Sequence, residues 1–482
     1  MKCSLLLLTT LALPVVGGLT LQKRDNPAVV NFDIHRKDVS DPVARDRTRR
    51  KRDKTVVSQA VDNEETLYYC NVTLGTPEQS LRLVLDTGSS DLWCNAPNST
   101  LCSSRGDHCS SSGSYDSSAS STYSFVSSDF NITYADSSGA AGDYVTDTLH
   151  IGNATIKNFQ FGVGYESSSE EGVLGIGYTT NEVVLDDGGE TYSNLPKAMV
   201  NKGLIQSSAY SLWLNDLDAN TGSVLFGGVN SAKYHGSLET LPIQKVDGVY
   251  AEFIIALTAV ALSSSSESKN YSSGSLPAAV LLDSGSSLTY LPDAITEDIF
   301  NDLDVTYEES EGVGYVPCSI AEKNINISYT FSSPTIHVSI NELVLDSGGM
   351  NYQNGDPACV FGIVPAGSGT AVLGDTFLRS AYVVYDLANN EISLANTNFN
   401  SSANDILEIG TGDNAVPGAT AVANPVTTVN AGGSAARIGG PSGGTVLISP
   451  TASTGKAAAS RVTGLPKHLA LSLAGAGALL AL

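Results

Sequence analysis

The sequence predicts an all-β protein built from two copies of one β lobe. From about residue 62 to residue 398, short runs rich in Val, Ile, Leu, Tyr and Thr alternate with clusters of Gly, Asn, Asp and Ser, as in many short strands joined by turns. LVLDTGSS at 83–90 recurs as VLLDSGSS at 280–287, and GVLGIG at 172–177 recurs as AVLGDT at 371–376. Because both repeated pairs keep the same order, we infer duplication of one β lobe.

The two lobes form the body of a longer chain of 482 residues. We expect an N-terminal lobe over 53–217 and a C-terminal lobe over 218–398, with helical patterns near 194–203 and 292–303. Residues 399–465 are rich in Ser, Thr, Gly, Ala and Pro and show no periodicity. Such a composition predicts a flexible stalk after the second lobe.

The N-terminal end has the pattern of a secreted precursor. Residues 1–18 combine an early lysine, a short apolar run and small residues, which predicts a signal peptide. Dibasic sites at Lys23-Arg24 and before Arg52 suit a kexin-like processing enzyme, so 19–52 is expected to be a propeptide. Residues 1–52 carry eleven Lys and Arg against five Asp, net +6, whereas the remainder carries −30. We therefore expect the propeptide to act as an intramolecular inhibitor that docks electrostatically.

The C-terminal end predicts attachment to a membrane lipid. Residues 466–482 end in an uncharged apolar run too short to span a bilayer, preceded by small residues and a short polar spacer. This is the pattern of a glycolipid (GPI) anchor signal, with attachment among Ser453, Gly455 and 457–460. The alternative is a plain hydrophobic C-terminus. With the signal peptide, the tail predicts delivery to the cell surface, at the plasma membrane or cell wall.

Cysteine usage agrees with an oxidising compartment. Cys3 leaves with the signal peptide, and six cysteines remain, an even number that predicts disulfides. We expect the pairs Cys102–Cys109 and Cys318–Cys359 from their positions, which leaves Cys70 and Cys94 for each other. If Cys94 is bonded it ties two strands together, and if it is free it is an odd thiol. Seven glycosylation sequons are also compatible with secretion, at Asn71, Asn98, Asn131, Asn153, Asn270, Asn326 and Asn400.

The repeated D-[TS]-G-S-S turn carries the chemistry. Asp86 and Asp283 each follow an aliphatic run, so both carboxyls should be buried. Two facing carboxylates cannot both ionise cheaply, and the pair then holds one proton as a general acid and a general base side by side. Such a pair can activate a water for direct attack on a peptide bond.

The residues around each aspartate suit that role. Gly88 and Gly285 allow a tight turn and close approach of the backbone. The hydroxyls of Thr87 and Ser284 can brace one turn against the other. Those of Ser89 and Ser286 can hydrogen-bond the carboxylates.

Longer motifs resemble the pepsin-like aspartic proteases, over about 65–398. They are DTGSSDLW, DSGSSLTYLP, LFGGVNSAKYHGSL (225–238) and VLGDTFLRSAYVVYDLANNEISLA (372–395), in the family's order. Within the family, the DSG form, the dibasic propeptide and the tail are similar to yapsins and secreted candidapepsins. The resemblance implies a bilobal fold with a substrate cleft between the lobes and one aspartate from each lobe.

The resemblance also implies a β-hairpin flap over the cleft. ITYADSSGAAGDY (132–144) fits it, which makes Tyr134 the flap tyrosine and Trp93 its hydrogen-bond partner. Ala135, Asp136 and Ser137 would then contact the substrate backbone. One departure from the family is Cys94, where an aliphatic residue is usual.

The partners expected are protein or peptide substrates of a monomeric enzyme, with no cofactor or metal. The net charge of −24 excludes nucleic acid as a partner, since phosphates favour basic proteins. The acidic runs 166–172 and 182–190 are expected to be solvated loops, or alternatively to bias the cleft toward Lys and Arg side chains as in yapsins. The alternative function is a catalytically idle fold that acts as a wall-anchored binding or structural protein. A GPSGG match to the serine hydrolase motif lies in the stalk, outside the strand–turn–helix setting which that motif needs.

Overall fold

The structure is a computed structural model that describes residues 27–37 and 67–429, apart from 105, 107, 135–137, 187, 220 and 266. The predicted signal peptide, most of the predicted propeptide, the stalk beyond residue 429 and the hydrophobic tail lie outside the described residues. So do three predicted flap residues, Ala135, Asp136 and Ser137.

Strands dominate the described chain. The first ten are β1 (Val30–Lys37), β2 (Leu67–Leu74), β3 (Gln79–Asp86), β4 (Leu92–Asn95), β5 (Ser124–Thr133), β6 (Gly139–Ile151), β7 (Ala154–Ser167), β8 (Gly172–Gly175), β9 (Ala209–Trp213) and β10 (Thr221–Phe226). The next ten are β11 (Gly228–Asn230), β12 (Tyr234–Pro242), β13 (Ile254–Leu257), β14 (Ala259–Ser264), β15 (Ser268–Tyr271), β16 (Ala278–Leu282), β17 (Thr289–Leu291), β18 (Thr306–Glu308), β19 (Val313–Pro317) and β20 (Ile325–Thr330). The last nine are β21 (Thr335–Ser339), β22 (Val344–Leu345), β23 (Ala358–Phe361), β24 (Ile363–Pro365), β25 (Ala371–Leu373), β26 (Ala381–Asp386), β27 (Glu391–Thr397), β28 (Ile406–Glu408) and β29 (Ala419–Ala421). The predicted mostly-β fold is confirmed.

The helices are short. They are α1 (Leu195–Asn201), α2 (Asp293–Leu303) and α3 (Asp375–Leu378). The first two lie where helical patterns were predicted, and α1 has a proline in its first turn, where no backbone N–H is needed. Among the described residues, no helix has the length and apolar character needed to cross a membrane.

One large sheet contains strands from both halves of the chain. It has fourteen strands in the order β29-β12-β27-β26-β9-β10-β1-β2-β3-β8-β4-β7-β6-β5. Because β2 also pairs with β6, the strands β2, β3, β8, β4, β7 and β6 close into a ring. The second half adds the sheets β13-β16-β25-β17-β24, β15-β14-β20-β21 and β18-β19-β23-β22.

The sequence repeat corresponds to a repeated strand pairing. In the first half β3 runs parallel to β8, with Leu85 opposite Leu174. In the second half β16 runs parallel to β25, with Leu282 opposite Leu373. Each D-[TS]-G-S-S turn therefore leaves its sheet beside the second repeated motif, which explains why the two motifs recur together.

Strand β1 belongs to the predicted propeptide and lies inside the large sheet. It pairs with β10 on one side and with β2 on the other. Its alternate residues Val30, Phe32 and Ile34 are buried, and the ring of Phe32 stacks on Phe226 at 5.8 Å between centroids. The period of two in this burial is that of a strand with one face in the core.

The folded body extends beyond the predicted stalk boundary at residue 398. Strand β28 pairs with β11, and β29 pairs with β12. Ile409, Val416 and Val422 are buried against those strands. A few apolar residues at the right spacing anchor this segment despite its Ser- and Gly-rich composition.

Candidate active site

The first turn holds Asp86 at the end of β3. Leu83, Val84 and Leu85 are all buried, because this strand lies in the interior with both faces covered, and Asp86 is only 3% exposed. Its carboxylate accepts hydrogen bonds from the Ser89 hydroxyl (2.5 Å, to Oδ2) and from the backbone N–H of residue 88 (2.8 Å, to Oδ1). The turn therefore supplies the hydrogen bonds that a carboxylate needs when it is buried at the end of a strand.

The second turn repeats this arrangement around Asp283, which follows β16 and is 2% exposed. The Ser286 hydroxyl donates to Oδ2 at 2.6 Å, and the Gly285 N–H donates to Oδ1 at 2.9 Å. The roles predicted for both serines and both turns are thus present in the structure.

Thr87 and Ser284 brace the two turns against each other. The Thr87 hydroxyl donates to the Leu282 carbonyl at 3.0 Å and accepts from the Ser284 N–H at 3.0 Å. Reciprocally, the Ser284 hydroxyl donates to the Leu85 carbonyl at 3.0 Å and accepts from the Thr87 N–H at 3.2 Å. Each half of the chain therefore fixes the turn of the other half.

The two carboxylates face each other across the turn glycines. A Cβ atom on Gly88 would lie 2.6 Å from Oδ1 of Asp283, and one on Gly285 would lie 2.5 Å from Oδ1 of Asp86. Only glycine leaves room for the opposite carboxylate at these positions. Two facing carboxyl groups of this kind are the arrangement that a general acid and a general base side by side require.

The comparisons with known proteins agree with this geometry. The family model described as eukaryotic aspartyl protease matches residues 67–397. The chain belongs to this aspartyl protease family. The match spans both braced turns and therefore includes Asp86 and Asp283, whose catalytic role stays a prediction.

Fungal relatives extend the similarity along the whole chain. It is 69% identical over 480 residues to the "Probable aspartic-type endopeptidase opsB" of Aspergillus oryzae, covering 99% of this chain and 98% of that protein. It is 35% identical over 410 residues to the "Acid protease" of Saccharomycopsis fibuligera, covering 81% and 99%. It is 33% identical over 355 residues to the "Aspartic proteinase yapsin-3" of Saccharomyces cerevisiae, covering 71% and 68%. The family match and these relatives together show that the protein is an aspartic endopeptidase.

The predicted flap is the β5–β6 hairpin. Tyr134 directly follows β5, and its hydroxyl accepts a hydrogen bond from the Trp93 indole N–H at 2.6 Å, as predicted. Both residues pack in one cluster with Phe130 and Tyr144. The substrate contacts of the flap residues stay a prediction, because the tip of the hairpin lies outside the described residues.

Two of the three predicted disulfides are present in this aspartyl protease. Cys102 is bonded to Cys109 and Cys318 to Cys359, with Cα atoms 5.2 and 5.0 Å apart. The short loop and the pair on neighbouring elements both satisfy the narrow geometry of the bond.

The predicted bond between Cys70 and Cys94 is wrong, since both are buried free cysteines. Cys70 lies on β2 and Cys94 on β4, and two strands separate β2 from β4 in either direction around the ring. With strands about 4.8 Å apart, this spacing exceeds the ~7 Å limit between bonded Cα atoms. Burial raises the pKa of the Cys70 thiol to about 12, which keeps it protonated and unreactive.

The exposure of the seven sequon asparagines is compatible with glycosylation. Asn326 is half-buried, and the other six are exposed: Asn71, Asn98, Asn131, Asn153, Asn270 and Asn400. Glycosylation itself stays a prediction.

One contribution to the site was missed from the sequence. The acidic run 182–190 was expected to be a solvated loop, yet Glu182 is 0% exposed and its neighbour Asn181 donates from Nδ2 to the Gly88 carbonyl at 3.3 Å. Asp91, five residues after Asp86, is also 0% exposed. Burial of a carboxyl depends on tertiary packing, and the composition of this run gives no signal of it.

Proposed function

We propose that this protein is a secreted, surface-anchored aspartic endopeptidase that is made as a zymogen and works at acidic pH. The observation that carries the proposal is the pair of buried carboxylates on reciprocally braced turns. Both turns keep their Asp, Gly and Ser, so the idle-fold alternative has no feature in its favour.

The chemistry follows from one shared proton. The ionised carboxylate takes a proton from a water held between Asp86 and Asp283, and the protonated one donates to the oxygen of the scissile carbonyl. The hydroxide left from that water adds to the carbonyl carbon and gives a neutral tetrahedral species with two hydroxyls. Its C–N bond then breaks as the aspartic acid formed in the first step protonates the amine nitrogen, while the other aspartate takes the proton of one hydroxyl, so the acid product forms and the pair again holds one proton. The turn serines and N–H groups hold both carboxylates in place, so reorganisation of the site is small. Activity at acidic pH is expected because the pair must keep one proton.

The decisive experiment replaces each aspartate separately. Asp86→Asn and Asp283→Asn should each abolish peptide hydrolysis while the protein still folds, because asparagine keeps the shape and removes the titrating group. Asp304→Asn is the matched control, since Asp304 is exposed and its left-handed backbone tolerates asparagine. Hydrolysis that survives either active-site change would rule out the shared-proton mechanism.

The zymogen proposal rests on charge and on the position of β1. The predicted propeptide is basic and the rest of the chain is acidic, while β1 is hydrogen-bonded on both sides within the large sheet. Acid should protonate carboxylates that attract the basic segment and so loosen it. Purified precursor should activate itself faster at acidic than at neutral pH. Equal rates at both pH values would contradict the electrostatic account.

Surface anchoring rests on the sequence of the C-terminal tail. Deletion of 466–482 should release the protease into the medium if these residues direct anchor addition. A length-matched control deletes the same number of residues from the stalk, 432–448, upstream of the predicted attachment residues, and this variant should stay on the surface. Retention of the tail-deleted protein would show that the anchor signal is elsewhere or absent.

A preference for substrates with basic side chains rests on Glu171, which contacts the apolar cluster around Trp93 and Tyr134. The Tyr69 hydroxyl donates to Glu171 Oε1 at 3.4 Å, and Tyr69 packs in the cluster of Trp93 and Tyr134. A half-buried carboxylate at this edge would favour a Lys or Arg side chain of the substrate. Cleavage of a diverse peptide library at acidic pH, with a statine-type inhibitor as control, tests the preference. Glu171→Gln should reduce it, and a library profile without basic enrichment would contradict it.

A further inference from the structure

The segment after β8 packs directly behind the first catalytic turn. Asn181 donates to the Gly88 carbonyl at 3.3 Å, and the Val183 N–H donates to Asp91 Oδ2 at 3.0 Å. Farther along, Asn194 donates from Nδ2 to the Gly177 carbonyl at 2.8 Å. These bonds make the shape of the catalytic turn depend on where residues 181–194 lie.

Two carboxyl groups meet in this packing, and their environments differ. Asp91 is 0% exposed and accepts three hydrogen bonds, from Val183 N–H and from the hydroxyls of Tyr192 (2.7 Å) and Tyr144 (3.1 Å). Glu182 is also 0% exposed, and its Oε2 accepts from the Tyr192 N–H at 2.8 Å. Within the described part of the chain, its Oε1 has no hydrogen-bond partner.

The number of hydrogen-bond donors at each carboxyl favours a negative charge on Asp91 over one on Glu182. Three donors can stabilise an ionised Asp91. An ionised Glu182 would instead place a second negative charge near Asp91 and leave one of its own oxygens without a hydrogen-bond donor, which is unfavourable for a buried group. We propose that Glu182 is a positioning residue for the catalytic turn and that it holds the turn only in its neutral, protonated form.

The surrounding groups support a protonated Glu182. Burial, reinforced by the charge of Asp91, raises the pKa of its carboxyl to about 9. Burial also raises the pKa of Asp91, while its hydrogen bonds from Val183, Tyr192 and Tyr144 oppose the rise. The other titratable groups that face the pair are acids or phenols: Asp186 on the same segment, Tyr144 on β6, and Tyr192, while Asp129 on β5 faces Tyr144.

A protonated Glu182 makes the folded protein less stable as pH rises. An unfolded glutamate has a pKa of about 4.3, well below that of folded Glu182. Below about pH 4.3, Glu182 is protonated in both the folded and the unfolded protein, and its ionisation does not lower the free energy of unfolding. Above it the unfolded chain releases a proton that the folded protein keeps, so stability falls as pH rises until Glu182 ionises near its folded pKa. Over that interval one such group changes the folding equilibrium constant by about tenfold per pH unit.

The test compares Glu182→Gln and Glu182→Met with the wild-type protein. Both variants keep a neutral side chain of similar length, and Glu190→Gln is the matched control, because Glu190 is exposed on the same segment. Urea unfolding is measured from pH 4.5 to 8.5, and peptide hydrolysis is assayed at acidic pH after incubation across that range. Wild type and Glu190→Gln should lose about tenfold more in the folding equilibrium constant per pH unit than either Glu182 variant.

The pH dependence of unfolding is the readout that a merely structural role would not move, because lost packing lowers stability by a similar amount at every pH. After incubation at the upper end of this pH range, each Glu182 variant should retain a larger fraction of its own acid-pH activity than wild type retains of its own. Equal pH dependence of unfolding in wild type, Glu182→Gln and Glu182→Met would overturn the proposal. Failure of both variants to fold at acidic pH would overturn it too, because a neutral side chain should replace a neutral acid. The unfolding measurement is independent of whether the protease prefers basic substrates, is anchored or is made as a zymogen.

Discussion

The hydroxyl of Thr87 is one of the two that brace the turns, and its loss should destabilise this protease. It donates to the Leu282 carbonyl and accepts from the Ser284 N–H, both at 3.0 Å, and both partner residues are fully buried. Thr87→Val keeps the branched shape and removes the hydroxyl, which leaves two buried backbone groups without this partner. At about 1–3 kcal/mol for each unsatisfied buried group, the free energy of unfolding should fall by roughly 2–6 kcal/mol.

Urea denaturation and peptide hydrolysis measure the two consequences of this change. The loss of the brace should also reduce kcat, because the spacing of Asp86 and Asp283 depends on it. Thr221→Val is the matched control, since Thr221 is exposed on strand β10, and it should change stability by no more than about 0.5 kcal/mol. A Thr87→Val protein as stable and as active as the control would refute the bracing argument.

Three further predictions concern the turn glycine, the buried ion pair and the disulfides. Gly88→Ala should lower hydrolysis by about a hundredfold with the fold retained, because the new Cβ displaces the Asp283 carboxylate. Arg379→Met should lower the free energy of unfolding by about 3–5 kcal/mol, because the 0%-exposed Arg379 pairs with the buried Glu342 at 2.6 Å. Loss of the bond at Cys359, which spans 41 residues, should cost about 4 kcal/mol, against about 2 kcal/mol for the bond at Cys109, which spans 7.

Each of these has a control and a contrary result. For the glycine, Gly274→Ala places a Cβ with nothing within 4 Å and should leave hydrolysis unchanged; equal effects of both alanines would contradict the steric argument. For the ion pair, Arg379→Met combined with Glu342→Met should recover much of the lost stability, and no recovery would mean that packing, not charge, was lost. For the disulfides, urea denaturation of the Cys→Ser variants should rank them by loop length, and a reversed order would contradict the entropic account.

The catalytic pair could be predicted from the sequence because its signal is local and repeated. Asp86 and Asp283 each follow an aliphatic strand and precede a Gly-Ser-Ser turn, and the duplication itself indicates that they meet. The partner of Trp93 was predictable for a similar reason, since Tyr134 stands at a recognisable place in the flap hairpin. Strand periodicity and the proline at the start of α1 indicated most of the remaining elements.

Features that depend on strand order could not be predicted in the same way. Cys70 and Cys94 were paired by elimination, but nothing in the sequence shows that two strands separate them in the ring. Glu182 lies in an acidic, Gly-rich run whose composition favours solvent, and its burial comes from the packing of this segment behind the first turn. The strands after residue 398 were missed because a few apolar residues decide their pairing within a polar segment.

The reciprocal bonds of Thr87 and Ser284 have a mechanical consequence. Each hydroxyl is hydrogen-bonded to backbone on the opposite half of the chain, so the two turns are held together beside Asp86 and Asp283. A movement of one half against the other is therefore expected to carry both turns together, which keeps Asp86 and Asp283 in a fixed relation to each other.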